Sequence, residues 1–237
     1  MSRPIKAKFQ EERVIPLLQA KNESQRKALK AFTQKQVVVL SGSAGSGKSL
    51  LACWWAAKQW REGSIDTIVI TRPYQALGKD TGSLPGDDFS KNLPFCMSML
   101  MKFRHYLGPR VLENALRTTP QDFLFKEVSG INIIPIEKIQ GLSFNNKTLI
   151  ICDEAQNSSP EQMKALLTRL EEGCQLIITG DKVQSAIKGK NGLSMLEEIL
   201  TNVLHPDIAI ISFTPEDNCR SGVSGWFANI FEQDKQW

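Results

Sequence analysis

The most constraining feature of the sequence is a glycine-rich segment that directly follows a short apolar run. The run VVVL (37–40) predicts a buried strand, and GSAGSGKS (42–49) comes next. Gly42, Gly45 and Gly47 allow the backbone to curl so that several N–H groups point to one centre and can bind phosphate oxygens. A helix that begins where the segment ends would add its positive N-terminal end. The sequence therefore predicts a strand, a phosphate-binding loop and a helix, in that order.

The same segment matches the pattern G-x-x-x-x-G-K-[ST] at every fixed position. In this pattern the lysine, here Lys48, reaches the β- and γ-phosphates of a nucleoside triphosphate, and the hydroxyl of Ser49 is a ligand of Mg²⁺. A glycine-rich turn without a ligand is the alternative, but the predicted strand and helix on either side favour a nucleotide site. The residues predicted to hold the nucleotide are Gly42, Ser43, Ala44, Gly45, Ser46, Gly47, Lys48 and Ser49.

Six short runs rich in Val and Ile alternate with helical patterns along the chain. Runs of this kind, bounded by turn residues and separated by helices, are typical of parallel strands that are buried on both faces. We therefore predict a three-layer α/β fold with a mostly parallel central sheet. The runs are VVVL (37–40), DTIVIT (66–71), INIIPI (131–136), TLIICD (148–153), QLIITG (175–180) and IAIISF (208–213).

The clearest helix signal lies in SSPEQMKALLTRLEEG, residues 158–173. Ser159 is typical of an N-cap, Pro160 of the first helical position and Gln162 of the capping-box partner. Gly173 is typical of a helix end. We predict one helix between these signals, with an apolar face formed by Met163, Leu166, Leu167 and Leu170.

Residues 72–130 are less regular, because Gly, Pro and Asp are too frequent there for one element. We predict a long functional loop followed by a helical insertion near residues 89–118. No internal repeat or linker divides the sequence. The expectation is therefore a single domain over residues 1–237, with a basic N-terminal segment, residues 1–35.

Two acidic residues follow the run LIIC, at the predicted end of a strand. In open parallel sheets the ligand crevice lies at the carboxyl ends of the strands. Asp153 would hold a metal ion there, directly or through water, and Glu154 would act as the general base that polarises an attacking water. An acidic turn before a helix is the alternative, and the glycine segment at 42–49 favours the functional interpretation.

Two other predicted strands end in polar residues that would reach the same edge of the sheet. After IIT come Gly180, Asp181 and Gln184, and the amide of Gln184 can sense a γ-phosphate. A simple β-turn also explains TGD. After VI come Thr71 and Arg72, for which a contact with nucleic-acid phosphate and a structural turn are both open.

An upstream segment, LLQAKNESQRKALKAF (17–32), places Asn22, Gln25 and Ala28 at three-residue spacing on a predicted helix. A Gln side chain can pair with both the donor and the acceptor of an adenine edge, but the helix could also simply pack on the sheet. Residues 1–35 carry nine Lys or Arg and three Asp or Glu, within a chain of net charge +4. This charge indicates either a surface for nucleic acid or a solvated helix face.

Composition excludes some other classes of protein. No run of about 18 apolar residues predicts a membrane span, and the N-terminus lacks an apolar signal core, so we expect a cytoplasmic protein. The five cysteines are scattered without a C-x-x-C pair, which predicts reduced, mostly buried thiols rather than a zinc site or disulfides.

The motifs NESQ, GSAGSGKS, ITRP, SLPGD, DEAQN, TGD and a late arginine, Arg220, stand in one order along the chain. This order resembles the PhoH family of P-loop ATPases and, more distantly, the first motor domain of superfamily 1 helicases. The resemblance runs from residue 22 to the C-terminus, and the short length is similar to that of phage members. One departure is QGLS (140–143), where many relatives have an arginine-rich turn, so two positive charges are missing there.

The resemblance implies a RecA-like fold, binding and hydrolysis of ATP with Mg²⁺, and a helicase or RNA/DNA-processing role. By the same resemblance Gln25 would bind adenine, Gln184 would couple to the γ-phosphate and Arg220 would act as an arginine finger. The phosphates would lie on residues 42–49. Asp153 and Glu154 would handle Mg²⁺ and water.

A superfamily 1 motor closes two such domains on ATP, and this chain has room for one. We therefore expect self-assembly, by family analogy a hexameric ring in which Arg220 enters a neighbour's site. The leading function is an ATP-driven motor on single-stranded RNA or DNA. The alternative is an ATP-dependent switch or scaffold that binds a protein partner without strand separation. The expected location is the cytoplasm, that of the host if the protein is phage-encoded.

Overall fold

The computed structural model describes residues 14–73, 88–117, 129–220 and 222–233. The predictions for residues 1–13 and for SLPGD lie outside the described residues. The helices are α1 (Glu23–Gln34), α2 (Lys48–Glu62), α3 (Asp88–Leu107), α4 (Pro109–Ala115), α5 (Pro160–Leu167), α6 (Gly192–Asn202) and α7 (Gly222–Gln233). The strands are β1 (Val37–Gly42), β2 (Thr67–Thr71), β3 (Leu116–Arg117), β4 (Gly130–Ile133), β5 (Thr148–Cys152), β6 (Gln175–Gly180) and β7 (Ile208–Phe213).

The strands form one sheet in the order β3-β4-β2-β5-β6-β1-β7, and each adjacent pair is parallel. All six predicted strands are present. Strand β6 lies between β1, which leads into the glycine segment, and β5, which leads into the acidic pair. Because the strands are parallel, the loops that follow β1, β5 and β6 all emerge at one edge of the sheet.

Apolar side chains cover both faces of the sheet, as expected for a parallel sheet. On β1, Val38 and Leu40 join a core with helices α1, α2, α3 and α4. Val37 and Val39 point to the opposite face and join a core with α5 and α6. The alternation follows from the two-residue period of a strand, and it confirms the predicted three-layer α/β architecture.

The predicted capping box of α5 is confirmed, but the predicted end of the helix is wrong. Ser159 Oγ accepts from the backbone N–H of Gln162, whose side chain accepts from the backbone N–H of Ser159. The helix ends at Leu167 rather than at Gly173. Beyond it the backbone pairs with Phe144, which forms an isolated parallel bridge with Leu170. The predicted last turns of the helix instead form backbone hydrogen bonds with Phe144, a residue distant in the sequence.

The helical insertion predicted near residues 89–118 corresponds to α3 and α4, but the chain then forms the short strand β3 beside β4. The predicted strand at 131–136 ends at Ile133. Pro135 has no N–H to donate, and residues Ile136–Lys138 form a 3₁₀ turn.

Among the helices that the structure describes, none combines the length and the apolar character that a membrane span requires.

A buried polar contact fixes α2, the helix that follows the glycine segment, to the rest of the fold. Trp55 Nε1 donates to Gln175 Oε1 on β6 at 2.7 Å. Gln175 Nε2 in turn donates to the carbonyls of Phe32 and Lys35 at the end of α1. The position of α2 is therefore set jointly by the sheet and by α1.

Four of the five cysteines are buried, and Cys219 is half-buried, which confirms the prediction of mostly buried free thiols. Burial raises the pKa of the Cys96 thiol to about 11 and that of Cys174 to about 12. Burial also raises the pKa of Cys53 and Cys152. At pH 8 these four groups are therefore protonated as well as inaccessible, and the thiolate is the reactive form.

We expect 5,5′-dithiobis(2-nitrobenzoate) to react rapidly with one thiol of the native chain at pH 8, that of Cys219. The other four should react only after unfolding in denaturant, when the total reaches the five of the sequence. The absorbance of the released thiolate counts both phases. Cys219→Ser should remove the fast phase, and a second fast thiol in the native protein would contradict the assignment.

Candidate nucleotide-binding site

The glycine segment takes the conformation that its sequence predicts, because two of its positions exclude a side chain. Gly42 has φ +122°, and a Cβ there would lie 1.9 Å from the carbonyl oxygen of Phe213 on β7. Gly47, the N-cap of α2, has φ +89° and lies against the side-chain amide of Gln25. The loop therefore fits tightly between β7 and α1 and delivers the N-terminus of α2 to the edge of the sheet.

The ammonium group of Lys48 lies within this loop. Its Nζ donates to the carbonyl oxygens of Gly42 and Ser43 at 2.6 Å each and to Ser46 Oγ at 3.3 Å. The side chain is 8% exposed. A bound phosphate would offer oxygens that can replace these neutral carbonyls with stronger, charge-assisted partners.

Asp153, at the end of β5, joins α2 to the sheet. Its Oδ1 accepts from Ser49 Oγ at 2.9 Å and also from Thr179 Oγ1 on β6. Asp153 is 4% exposed. The contact brings the predicted metal ligands, Ser49 and Asp153, together, and it adds Thr179, which the sequence motifs did not indicate.

Glu154 follows with a left-handed backbone, φ +53°, and it is the one non-glycine residue with positive φ among those that the structure describes. Its Oε2 accepts from Gln156 Nε2 at 2.6 Å, and its Oε1 lies 3.9 Å from Arg72 Nη2. Gln156 Oε1 accepts from the backbone N–H of Asp181 at 3.0 Å. One amide side chain thus links the acidic turn after β5 to the turn after β6.

These elements line an open cavity of about 430 Å³. Of the predicted site residues, those that line it are Ala44, Gly45, Gly47, Lys48, Ser49, Asp153, Glu154, Gly180, Asp181, Gln184 and Arg220. Residues that line it without having been predicted are Lys21, Leu50, Lys102, Thr179 and Cys219.

Gln25, the predicted adenine contact, is not among the lining residues. Its Oε1 accepts from the backbone N–H of Lys21, and its Nε2 donates to the Ser46 carbonyl at 2.9 Å and to Cys219 Sγ at 3.3 Å. The side chain is buried, 5% exposed. Both ends of the amide therefore already have partners, and a contact with adenine would require Gln25 to exchange them.

Arg220 lies at the pocket of its own chain, whereas the family resemblance implied that it enters a neighbour's site. The backbone N–H of Cys219 donates to the Gly45 carbonyl at 3.0 Å. This bond brings Arg220 over the glycine segment, where its Cδ and Nε lie 3.0 Å from the position of a Cβ on Gly45. No local sequence pattern indicates this close approach of the two loops, and whether Arg220 also reaches a neighbour's site stays a prediction.

The residues predicted to contact nucleic acid, Thr71 and Arg72 at the end of β2, are largely enclosed. Thr71 is 1% exposed, so a direct contact with a strand would require its surroundings to open. Arg72 donates from Nη1 to the Phe95 carbonyl at 2.9 Å, and its side chain is 18% exposed. In this structure Arg72 mainly links β2, α3 and Glu154.

Some residues of the pocket could have been found from the sequence, and others could not. Thr179 directly precedes Gly180 at the end of a recognisable strand, so the strand pattern alone could have found it. Lys102 is different, because it lies in the C-terminal half of α3, far along the chain from every motif. Only the packing of α3 on α2 brings Lys102 to the pocket.

A family model described as PhoH-like protein matches residues 17–232 of this chain. Protein PhoH of Escherichia coli K12 is 32% identical over 209 residues, which cover 88% of this chain and 56% of that protein. A PhoH-like protein of Bacillus subtilis strain 168 is 32% identical over 210 residues, which cover 82% of this chain and 62% of that protein. The chain thus spans little more than half the length of these curated relatives.

The large terminase of a thermophilic bacteriophage has a similar fold. One crystal form aligns with a TM-score of 0.53 at 12% identity, over 89% of this chain and 51% of the terminase. A form in complex with ADP aligns with a TM-score of 0.52 at 13% identity, over 86% of this chain and 48% of the terminase. Identity this low shows the fold alone, that of P-loop NTPases. Since the family model covers nearly the whole chain, including the phosphate-binding segment and both strand ends of the pocket, the chain belongs to the PhoH-like protein family.

Proposed function

We propose that the chain binds and hydrolyses ATP with Mg²⁺, and that hydrolysis drives work on single-stranded RNA or DNA. The observation that carries the proposal is the convergence of Lys48, Ser49, Asp153 and Glu154 on one cavity at the carboxyl edge of the sheet. The fold that this chain has in common with a terminase studied in complex with ADP supports a nucleotide as the ligand.

The phosphates would bind to the glycine segment. Backbone N–H groups of residues 43–49, the positive end of α2 and the ammonium of Lys48 would together neutralise their charge. The cavity, at about 430 Å³, is in the range usual for small-molecule sites. Cys219 and Lys21, which line the end nearest α1, would adjoin the base.

Two residues, Ser49 on α2 and Asp153 at the end of β5, fit Mg²⁺. Ser49 Oγ and Asp153 Oδ1 lie 2.9 Å apart, and both are oxygen ligands of the kind that Mg²⁺ prefers. Within the described ranges no group of three or more His, Cys, Asp or Glu could hold a metal. This suits Mg²⁺, which usually takes one or two protein oxygens and completes its shell with phosphate oxygens and water. Bound there, Mg²⁺ would neutralise charge on the β- and γ-phosphates.

Glu154 would act as the general base. Its carboxylate takes a proton from water as the water oxygen attacks the γ-phosphorus, and the bond from that phosphorus to the β–γ bridging oxygen breaks to release ADP and phosphate. Glu154 is half-exposed, and Gln156 and Arg72 hold its two oxygens. One of those contacts must give way for the attacking water to bind.

We expect Glu154→Gln to lower the rate of ATP hydrolysis by about 10²–10⁴-fold while leaving ATP binding intact. The amide keeps the shape of the side chain and its contact with Gln156 but cannot accept the proton. Phosphate release and equilibrium binding of a fluorescent ATP analogue measure the two effects.

Glu113→Gln is the matched control, because Glu113 is exposed on α4 and away from the cavity. It should hydrolyse ATP at the wild-type rate. Hydrolysis by Glu154→Gln at the wild-type rate would remove Glu154 from the mechanism.

A motor on nucleic acid and an ATP-dependent switch that binds a protein partner are the two candidates for what hydrolysis drives. The net charge of +6 on residues 1–35 favours the first, since basic segments attract phosphate backbones. Arg72 supports it as well, because it links the end of β2 to the general base, so that a strand bound near Arg72 could alter Glu154.

We expect single-stranded RNA or DNA to raise the rate of ATP hydrolysis, and salt to weaken the effect. If four phosphates are contacted, raising NaCl from about 50 to about 200 mM should weaken the apparent affinity about 50-fold. Steady-state ATPase assays with homopolymers at several salt concentrations measure this. Absence of stimulation by any single strand would favour the switch.

We also propose that the chain assembles with copies of itself, in a hexameric ring. Leu50, at the rim of the cavity, is 38% exposed, and Met97 and Met101 on α3 are 46% and 52% exposed. A neighbouring copy would cover these apolar side chains. Arg220, by contrast, already lies at its own pocket, so we assign it to the site of its own chain.

We expect Arg220→Ala to lower hydrolysis by about 10³-fold or more while ATP still binds, because a guanidinium next to the γ-phosphate stabilises the transition state. Mixing Arg220→Ala with Glu154→Gln chains distinguishes the two arrangements, with native mass showing whether copies associate. If each site uses Arg220 and Glu154 of the same chain, every site in the mixture lacks one of the two residues, so activity should not return. Restored activity in a mixed assembly would mean that Arg220 acts on a neighbour's site.

A further inference from the structure

We propose that Lys102, on helix α3, is a second phosphate-binding cation of the nucleotide site and that its ammonium contacts the terminal phosphate of a nucleoside triphosphate. The inference rests on the proposed nucleotide function and adds to it a residue that lies outside every sequence motif. It also gives the helical insertion a direct role in the site.

The packing of α3 on α2 brings Lys102 to the cavity. Met99 on α3 faces Cys53 on α2, with 4.0 Å between the Met99 carbonyl oxygen and Cys53 Sγ. Lys102 lies about one turn beyond Met99, and Ser49 about one turn before Cys53. The two turns meet at the cavity wall, which Lys102 lines together with Ser49 and Leu50.

The electrostatics of Cys53 agree with this position. Burial has the largest effect and raises the pKa of the Cys53 thiol, the charge of Lys102 lowers it, and the charge of Asp153 raises it. One thiol in the second turn of α2 is thus within electrostatic range of both groups. The cation of α3 and the carboxylate of β5 therefore flank the same part of the site.

The ammonium of Lys102 could donate further hydrogen bonds to a ligand. It donates to the Ser98 carbonyl one turn earlier on the same helix, at 2.9 Å. An ammonium carries three N–H donors, and no carboxylate among the described residues lies within 4.0 Å of this one. Lys58 and Lys190, by contrast, pair with glutamates. Exchanging one neutral carbonyl for a phosphate oxygen would cost Lys102 no ion pair.

The neighbours of Lys102 indicate which end of the nucleotide it would contact. Gln25, Cys219 and Lys21 lie on the side of the loop next to α1, where the base would bind. Lys102 lies where α3 packs on the start of α2, next to Ser49, and the same thiol of Cys53 is within electrostatic range of both Lys102 and Asp153. Mg²⁺ held by Ser49 and Asp153 would bridge the β- and γ-phosphates, so the terminal phosphate would lie on this side of the cavity. A cation there would distinguish a triphosphate from a diphosphate and would oppose charge on the transferred phosphoryl group.

The test compares Lys102→Gln with Lys102→Arg and with Arg104→Gln. Arg104 is the matched control, because it is an exposed cation on the same helix that does not line the cavity. Equilibrium binding of ADP and of adenosine 5′-(β,γ-imido)triphosphate, each with Mg²⁺, is measured for every chain. We expect Lys102→Gln to weaken the triphosphate about 10-fold and ADP less than about 2-fold, since it removes one charge-assisted hydrogen bond to the terminal phosphate.

Lys102→Arg should retain most of the preference for the triphosphate, and Arg104→Gln all of it. Equal weakening of both nucleotides by Lys102→Gln, or no weakening of either, overturns the role of Lys102 while the nucleotide function stands. Failure of the wild-type chain to bind either nucleotide overturns the proposed function itself. If Lys102→Gln does not fold, Lys102→Met, which keeps an unbranched stem, takes its place in the same comparison.

Discussion

A single carboxylate oxygen, Oδ1 of Asp153, holds together the elements that form the candidate site. It accepts from Ser49 at the start of α2 and from Thr179 near the end of β6, while its own backbone continues β5. Hydrogen bonds to a charged group contribute about 1.5–3 kcal/mol each, and a buried carboxylate without them would be strongly unfavourable. The sheet order makes the contact possible, because β6 lies directly between β1 and β5.

The position of Asp153 in turn sets the conformation of Glu154. The chain must turn sharply after the buried strand, and Glu154 takes a left-handed backbone that is rare outside glycine. Such a conformation costs about 1–3 kcal/mol and persists where the surroundings determine it. Gln156 provides that constraint, since its amide bonds both Glu154 and the backbone of Asp181. A change at the turn after β6, which carries Gln184, would therefore reach Glu154 through one side chain.

The sequence predicted the parts of this arrangement that depend on local chemistry. Glycines with positive φ, the buried strands β1, β2, β5 and β6 and the Ser159 capping box are all encoded within a few residues, and each is present in the structure. The strand at 208–213 is present but not buried on both faces, because β7 lies at the edge of the sheet and Ile210 is 40% exposed. Parts that depend on packing between distant segments were not predictable in the same way. Leu170 leaves the predicted helix to pair with Phe144, and Lys102 reaches the cavity only because α3 packs on α2. No local pattern specifies either contact.

Gln25 and Arg220 are two site residues whose contacts likewise could not be predicted from local sequence patterns. Hydrogen bonds join the segments that carry them. The residue types suggested their chemistry, but the turn before Arg220 determines their partners. In that turn Asp217 Oδ2 accepts from Ser24 Oγ at 2.8 Å and from the backbone N–H of Thr214 at 3.0 Å. Cys219 bonds the Gly45 carbonyl and accepts from the Gln25 amide. The start of α1, the glycine segment and the approach to Arg220 are thus joined by hydrogen bonds. A base that displaced the Gln25 amide from Cys219 would loosen the turn that holds Arg220. Binding at the base end would therefore change the position of Arg220 near the phosphates.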